Sequence, residues 1–130
     1  MRIDTENISV VRKTKGKLPG LPFVEMSDTI LGRKFELSIV FVGDTESRAL
    51  NNTYRKKDYP TNVLSFPLSD TSGEIYICLN KVRSDAHLFQ KSYSDFLLHI
   101  MIHGMLHLRG LDHGVVMDNL EEKYIRKFEK

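Results

Sequence analysis

Four of the five histidines of this 130-residue chain lie close together, at positions 99, 103, 107 and 113. His103 and His107 are four residues apart in an apolar stretch, so a helix would present both imidazoles on one face, one turn apart. Gly110 can adopt a positive φ and turn the chain sharply, which would return His113 to the same point. Three neutral imidazoles around one divalent ion leave a fourth position for water, as in catalytic zinc sites. The spacing predicts one zinc ion per chain on His103, His107 and His113.

The spacing of these histidines is also that of the metzincin peptidase signature, with one change that alters the expected chemistry. Those peptidases carry a glutamate directly after the first histidine, and its carboxylate acts as the general base. Here the corresponding residue is Gly104, which has no side chain to move a proton. The pattern therefore predicts the metal geometry of a catalytic site without the peptidase reaction.

Other interpretations of the cluster stay open at this point. The histidines could be ordinary core or surface residues, or the ion could sit in a closed structural site of four protein ligands. The single cysteine, Cys78, lies far from them in sequence. His99 is one turn before His103, where it would orient a ligand or pack more readily than bind the ion directly. Asp112 could orient a ligand or simply form the turn, and His87, in a polar segment, is expected at the surface.

The predicted zinc site requires a long helix followed by a turn, and the sequence supplies both. An apolar helix is predicted from a cap at Ser94 or Asp95 through about Leu108, with Gly110 ending it. A last amphipathic helix is predicted from about residue 116 to residue 128. The metal site would then lie on a carboxyl-terminal helix and the turn that follows it.

Alternating or apolar segments bounded by turn residues indicate the remaining elements. Strands are predicted at residues 8–11, 35–42, 63–67 and 74–79, and helices at 23–32 and 47–54, the second capped by Asp44. Pro67 would stop its strand or confine it to a sheet edge, and a turn at 70–73 would make the last two strands an antiparallel hairpin. We expect an α+β fold, a single domain in which a small mixed sheet packs against helices.

A basic segment follows the second predicted helix and ends at Pro60. Arg55 within it could hold a phosphate through two parallel hydrogen bonds, and Lys56 and Lys57 would add positive charge. On composition alone, a solvated loop is the simpler interpretation. Ser65, on the next strand, could line a cleft or be a plain strand residue.

The bulk composition bounds the class of protein. The formal net charge of +2 argues neither for nor against nucleic acid. One cysteine allows no intrachain disulfide and suits a reducing compartment. The amino terminus shows no signal-peptide pattern, and no run approaches the ~20 apolar residues of a membrane span. We therefore expect a cytoplasmic protein with no membrane partner.

Two long motifs resemble those of the YbeY family, the bacterial endoribonucleases of rRNA maturation. The family motif H-G-x-L-H-L-x-G-Y-D-H appears as residues 103–113, with Leu111 in place of the usual tyrosine. The family segment R-x-x-D-x-P-T-D-V-L-S-F-P resembles residues 55–67, with Asn62 where aspartate is usual. A shorter motif, G-[DE]-I-x-I, matches residues 73–77.

The resemblance implies one metallohydrolase domain over residues 1–130, with zinc on His103, His107 and His113. It also implies an endoribonuclease of single-stranded RNA, active in 16S rRNA 3′-end maturation and ribosome quality control and associated with the small ribosomal subunit. Arg55 would be the basic catalytic residue of the cleft, and no DNA substrate is expected. Two other functions remain open: a metal-dependent hydrolase of a non-RNA substrate, and a ribosome assembly factor whose metal only stabilises the fold.

Overall fold

The computed structural model describes residues 2–4, 7–15 and 18–129, which form five strands and five helices. In chain order these are β1 (Arg2–Asp4), β2 (Ile8–Arg12), α1 (Phe23–Ile30), β3 (Glu36–Val42), α2 (Asp44–Arg55), β4 (Val63–Ser69), β5 (Ser72–Cys78), α3 (Leu79–Leu88), α4 (Tyr93–Leu108) and α5 (Val115–Phe128). Within these residues no helix combines the length and apolar character that crossing a membrane requires.

The five strands form one mixed sheet in the order β1-β2-β3-β5-β4. The two outer pairs are antiparallel, whereas β3 pairs in parallel with both β2 and β5. At the centre of the sheet Ile39 lies opposite Val10 on one side and Ile75 on the other, and all three side chains are fully buried. The predicted α+β fold and the β4–β5 hairpin are confirmed.

Helix α4 packs on this sheet and supplies much of the core. Ten of its sixteen residues are buried, as expected of a helix that is apolar nearly all round. Gly104 allows the close approach, because a Cβ there would lie 3.1 Å from Ser65 Oγ and 3.3 Å from Ile75 Cδ1. The Ser65 hydroxyl donates a hydrogen bond to the Gly104 carbonyl at 3.1 Å. Ser65 therefore joins β4 to the helix that carries His103 and His107.

Several predicted boundaries were wrong. Helix α4 begins at Tyr93 and is capped by Ser92, whose Oγ accepts from the Asp95 amide at 3.1 Å, so neither Ser94 nor Asp95 is the cap. Asp44 lies in the first turn of α2, not before it, and its carboxylate accepts from the Cys78 thiol at 3.1 Å.

Two elements were not predicted, and one strand runs further than expected. Strand β4 continues through Pro67 to Ser69, which the sheet edge permits because the missing N–H faces no neighbouring strand there. Helix α3 was missed because polar residues separate its apolar positions, although Leu79, Val82 and Ala86 are buried along one face. Strand β1 is the other addition.

Candidate metal centre

Helix α4 and the turn after it bring the three predicted histidines together. One ring nitrogen from each of His103, His107 and His113 lies within 4.8 Å of the others, so the group could hold a metal ion. The helix ends where the Leu111 amide donates to the Leu106 carbonyl at 3.1 Å, across Gly110 with φ +97°. This is the left-handed conformation predicted for the turn, and it folds His113 back over the last turn of α4.

Hydrogen bonds to Nδ1 of His103 and of His107 determine which nitrogen of each ring carries the lone pair. Nδ1 of His107 lies 3.0 Å from the Leu111 carbonyl, which can only accept, so this nitrogen carries the proton. Nδ1 of His103 donates in the same way to Glu121 Oε1 at 2.7 Å. In the neutral rings both Nε2 atoms are therefore unprotonated, and they face each other 3.0 Å apart.

Two facing lone pairs repel unless a cation lies between or beside them. A metal ion bound by both Nε2 atoms removes this repulsion, and the third ring lies close enough to join them: the His113 centroid is 5.1 Å from that of His103 and 4.8 Å from that of His107. Three imidazole nitrogens are a donor set that zinc accepts readily. The residues present therefore fit the implied ion.

The electrostatics of two residues, His107 and Glu121, favour a neutral imidazole and an ionised carboxylate. Partial burial, and then the neighbouring charge of His103, lowers the pKa of His107, against the raising effect of the Leu111 carbonyl. Burial alone would raise the pKa of Glu121, but hydrogen bonds from His103 and His99 outweigh it and lower that pKa. An ionised Glu121 beside a neutral imidazole is the usual arrangement around a metal-binding histidine.

Glu121 is a site residue that the sequence interpretation missed. It lies on α5 and is only 12% exposed, with one carboxylate oxygen bonded to His103 and the other to His99. A signal was present in the sequence. Met117, Tyr124 and Phe128 are the buried positions of α5, and Glu121 falls on the same face by helical spacing. An acid on the core face of an amphipathic helix calls for a partner.

The other three positions considered in the sequence analysis, His99, Asp112 and His87, lie outside the group of three histidines. His99 lies outside the group of three; its Nε2 donates to Glu121 at 2.8 Å and its Nδ1 accepts from Lys91 at 3.1 Å. It therefore supports the carboxylate that orients His103. Asp112 is exposed on the turn, and Glu121 fills the orienting role considered for it. His87 is exposed on α3, as predicted.

A cleft of about 480 Å³ joins the three histidines to the basic segment. Arg55 lines it, but from the last turn of α2 and not from a loop, because the helix runs on until Lys56 turns into the left-handed conformation. The residues that complete the lining are Thr61, Asn62, Val63, Ser65 and Pro67. Arg55 is exposed, so its guanidinium is available to a ligand in the cleft.

The segment between α2 and β4 is tied down at several points although it is mostly exposed. Ser47 Oγ donates to the Thr61 carbonyl at 2.8 Å, and the Asn51 amide donates to the Tyr59 carbonyl at 2.8 Å. On the surface, Arg48 pairs with Asp58 through two hydrogen bonds of 2.7 and 3.0 Å. The wall that carries Arg55 is therefore anchored by buried polar side chains of α2.

Comparison with known proteins places these features in a family. A family model described as Endoribonuclease YbeY matches residues 21–130. The Endoribonuclease YbeY of Allorhizobium ampelinum is 43% identical over 96 residues, which cover 67% of this chain and 57% of that protein. The Endoribonuclease YbeY of Burkholderia cenocepacia is 39% identical over 115 residues, covering 83% and 64%.

A solved structure also has a fold similar to that of this chain. The solution structure of a Thermotoga maritima protein has a TM-score of 0.63 and 29% identity, covering 92% of this chain and 87% of that one. The aligned residues span about six-tenths of the length of the Allorhizobium and Burkholderia proteins. Since the family model matches most of its length, this chain belongs to the YbeY endoribonuclease family.

Proposed function

We propose that this chain is a zinc-dependent endoribonuclease that cleaves single-stranded RNA, formed by one metallohydrolase domain over residues 1–130. The observation that carries the proposal is the Nε2 atoms of His103 and His107, which face each other 3.0 Å apart beside His113, while the Nδ1 atom of each ring contacts an acceptor. That group opens into the same cleft as an exposed arginine. The relatives that bear the name Endoribonuclease YbeY supply the substrate class.

In this proposal His103, His107 and His113 hold the zinc ion. When bound, the ion supplies Lewis acidity toward a phosphoryl oxygen or a water molecule. Glu121 and the Leu111 carbonyl keep the two α4 imidazoles in the tautomer that turns Nε2 toward the ion. They also hold these rings in place, so that little reorganisation is needed on binding.

Arg55 is the proposed catalytic residue. Its guanidinium can bind a phosphate with two parallel hydrogen bonds and stabilise the charge that develops there. RNA brings its own nucleophile in the 2′-hydroxyl, so a glutamate at position 104 is not required. Gly104 is buried against Ser65 and Ile75, and a side chain there would force these neighbours to shift. The peptidase reaction is therefore disfavoured by packing as well as by chemistry.

The biological assignment follows the family. We propose action in 16S rRNA 3′-end maturation and ribosome quality control, in the cytoplasm and with the small ribosomal subunit as partner. The two motifs over residues 55–67 and 103–113 support it, and both line the cleft.

Metal removal tests the proposed activity. Purified protein is assayed on a single-stranded RNA oligonucleotide as isolated, after treatment with chelator, and after zinc is restored, with circular dichroism recorded on each sample. We expect cleavage to stop with chelator and return with zinc while the spectrum stays unchanged. Unfolding on metal removal without any RNA cleavage would favour an assembly factor with a structural ion. Hydrolysis of a peptide or a small amide with intact RNA would favour a different hydrolase.

A further inference from the structure

A second cavity adjoins the three histidines, and Arg55 does not line it. It has a volume of about 350 Å³ and shares His103, His113, Asn62 and Val63 with the cleft that Arg55 lines. The rest of its wall includes Phe89, Lys91, Phe96 and His99. Because the two spaces meet at the same histidines, a chain-like ligand bound at the metal group would extend from one into the other.

Two aromatic rings form the apolar part of this second cavity. Phe89 and Phe96 are stacked, with ring centroids 5.4 Å apart and planes inclined by 18°. Phe96 is 3% exposed and belongs to the core, whereas Phe89 is 63% exposed. The buried ring of Phe96 therefore holds the exposed ring of Phe89 in place. The outer ring presents an uncovered surface at the mouth of the cavity.

The backbone explains why Phe89 is held there. Helix α3 ends at Leu88, and Gln90 has a positive φ of +55°, which is uncommon for a residue other than glycine. The Gln90 amide donates to the His87 carbonyl at 3.2 Å and the Lys91 amide to the Ala86 carbonyl at 3.0 Å. This closed turn fixes the point from which Phe89 projects.

The charges in the second cavity distinguish a base from a phosphate. Asp118, Glu121 and Lys91 line it. The Lys91 ammonium donates to His99, and the two carboxylates, which outnumber it, would repel a phosphate group. They can accept hydrogen bonds from the amino and imino groups of a nucleobase. The amide nitrogen of Asn62 donates to Asp85 at 2.9 Å, which leaves the amide oxygen of Asn62 as a further acceptor.

We propose that this cavity is a nucleobase subsite, in which the base of a nucleotide next to the cleaved phosphate stacks on Phe89. The proposal rests on the proposed RNA substrate and assigns a different part of the nucleotide to each cavity. The cleft that Arg55 lines binds the phosphate, and the second cavity, which Phe89 lines, binds the base. Stacking on an aromatic side chain tolerates any base, while the carboxylates favour those with an amino group on the edge.

Fluorescence of 2-aminopurine tests the subsite without requiring cleavage. Single-stranded RNA oligonucleotides carry this base at successive positions, and its emission falls when it stacks on an aromatic ring. We expect one position to be quenched by the wild-type protein and by Phe89→Tyr, which keeps a ring. Phe89→Ala should not quench it. Leu88→Ala is the matched control, since Leu88 is 77% exposed, precedes Phe89 directly and is not part of the cavity wall.

Cleavage of an RNA with an abasic nucleotide at the quenched position completes the test. Removing the base should lower kcat/KM of the wild type about tenfold, and Phe89→Ala should lower it by a similar factor on intact RNA. The two losses should not add, because they remove the same contact. If wild type and Phe89→Ala cleave and quench alike, or if the losses multiply, the subsite is wrong and the ribonuclease proposal stands. Quenching that depends on Phe89 without cleavage by the wild type would leave the subsite standing and remove the ribonuclease proposal.

Discussion

Helices α4 and α2 both line the same cleft but are built in opposite ways. Ten residues of α4 are buried, and its two functional histidines each have a hydrogen-bond partner behind the ring. Only Ser47 and Asn51 are buried on α2, and Arg55, the residue proposed for catalysis, is exposed in the last turn. One side of the site is therefore part of the core, while the other is a surface helix anchored by two polar side chains.

This difference separates two requirements of the proposed chemistry. A metal ion needs ligands held within a fraction of an ångström, which packing and hydrogen bonds behind the ligands provide. A phosphate arriving from solvent needs a charged group that is accessible and can adjust to it. Substitutions on the α4 side should therefore change metal binding, and those on the α2 side should change catalysis alone.

The largest effect is expected on the α4 side, from His107→Ala. This substitution removes one of the three nitrogens that would hold the ion, so tight zinc binding should be lost. Metal analysis should find close to one zinc per wild-type chain and almost none in the variant. Zinc should also raise the melting temperature of the wild type and leave that of His107→Ala unchanged. His87→Ala, an exposed histidine on α3, is the control; full occupancy in His107→Ala would refute the site.

On the α2 side, Arg55→Ala should lower the rate of RNA cleavage roughly 100-fold or more while zinc content stays at the wild-type level. The free energy of unfolding should change by no more than about 0.5 kcal/mol, because the side chain is exposed. Arg55→Lys should recover part of the rate, since lysine keeps the charge but not the two-pronged geometry. The measurements are cleavage rate, zinc content and thermal melting on the same preparations. If Arg55→Ala cleaves RNA at the wild-type rate, Arg55 is only a solvated positive charge with no part in catalysis.

A graded effect is expected from Glu121→Gln, which keeps the shape of the side chain and removes its charge. An amide can accept from one histidine, but its NH₂ group then faces the N–H of the other, so one of the two hydrogen bonds of Glu121 is lost. Zinc affinity should fall about 10- to 100-fold, measured by competition with a chromophoric chelator. Glu122→Gln is the matched control, because this neighbouring acid is exposed and pairs with Arg126. Equal affinities for the two variants would mean that Glu121 does not orient His103.

The smallest effect concerns the junction between the sheet and the beginning of α2. Burial, and after it the hydrogen bond to Asp44, raises the pKa of Cys78 to about 11. Since the folded thiol holds its proton more tightly than the unfolded one, this contribution to stability is complete below the unfolded pKa. It is lost as the pH rises from there toward about 11.

Alkylation of Cys78 measures this directly. Iodoacetamide reacts with the thiolate, so the native protein at pH 8 should react far more slowly than the urea-unfolded protein. The native rate should climb steadily as the pH approaches 11. Equal rates for the native and unfolded chains at pH 8 would show that the beginning of α2 is open to solvent, and that α2 is less firmly anchored than its hydrogen bonds indicate.

Much of the site could be predicted from the sequence because its geometry is local. The four-residue spacing of His103 and His107 follows from the helical repeat, and Gly110 permits the turn that returns His113. Strands β2 to β5 were predicted for a similar reason, since the alternation of side chains along residues 35–42 is a property of one extended segment. None of these features depends on how distant segments pack.

What could not be predicted involves segments far apart in the chain. The sequence of a single strand does not show that β3 pairs in parallel with β2 and β5. Helix α3 could be recognised only from the residues that it buries in the folded structure. Glu121 reaches His103 across 18 residues, from a different helix.

The amino-acid sequence alone determined the face of α4 that carries His103 and His107 and the turn after it, since hydrogen bonding within a helix repeats over a few residues. Only the tertiary structure decided which carboxylate orients His103, that Arg55 lines the cleft from the last turn of α2, and that Phe89 borders a second cavity. Those contacts depend on the packing of α2, α3 and α5 around the sheet. The burial of apolar surface sets the distances between residues on different helices, and these distances cannot be calculated from their spacing in the sequence.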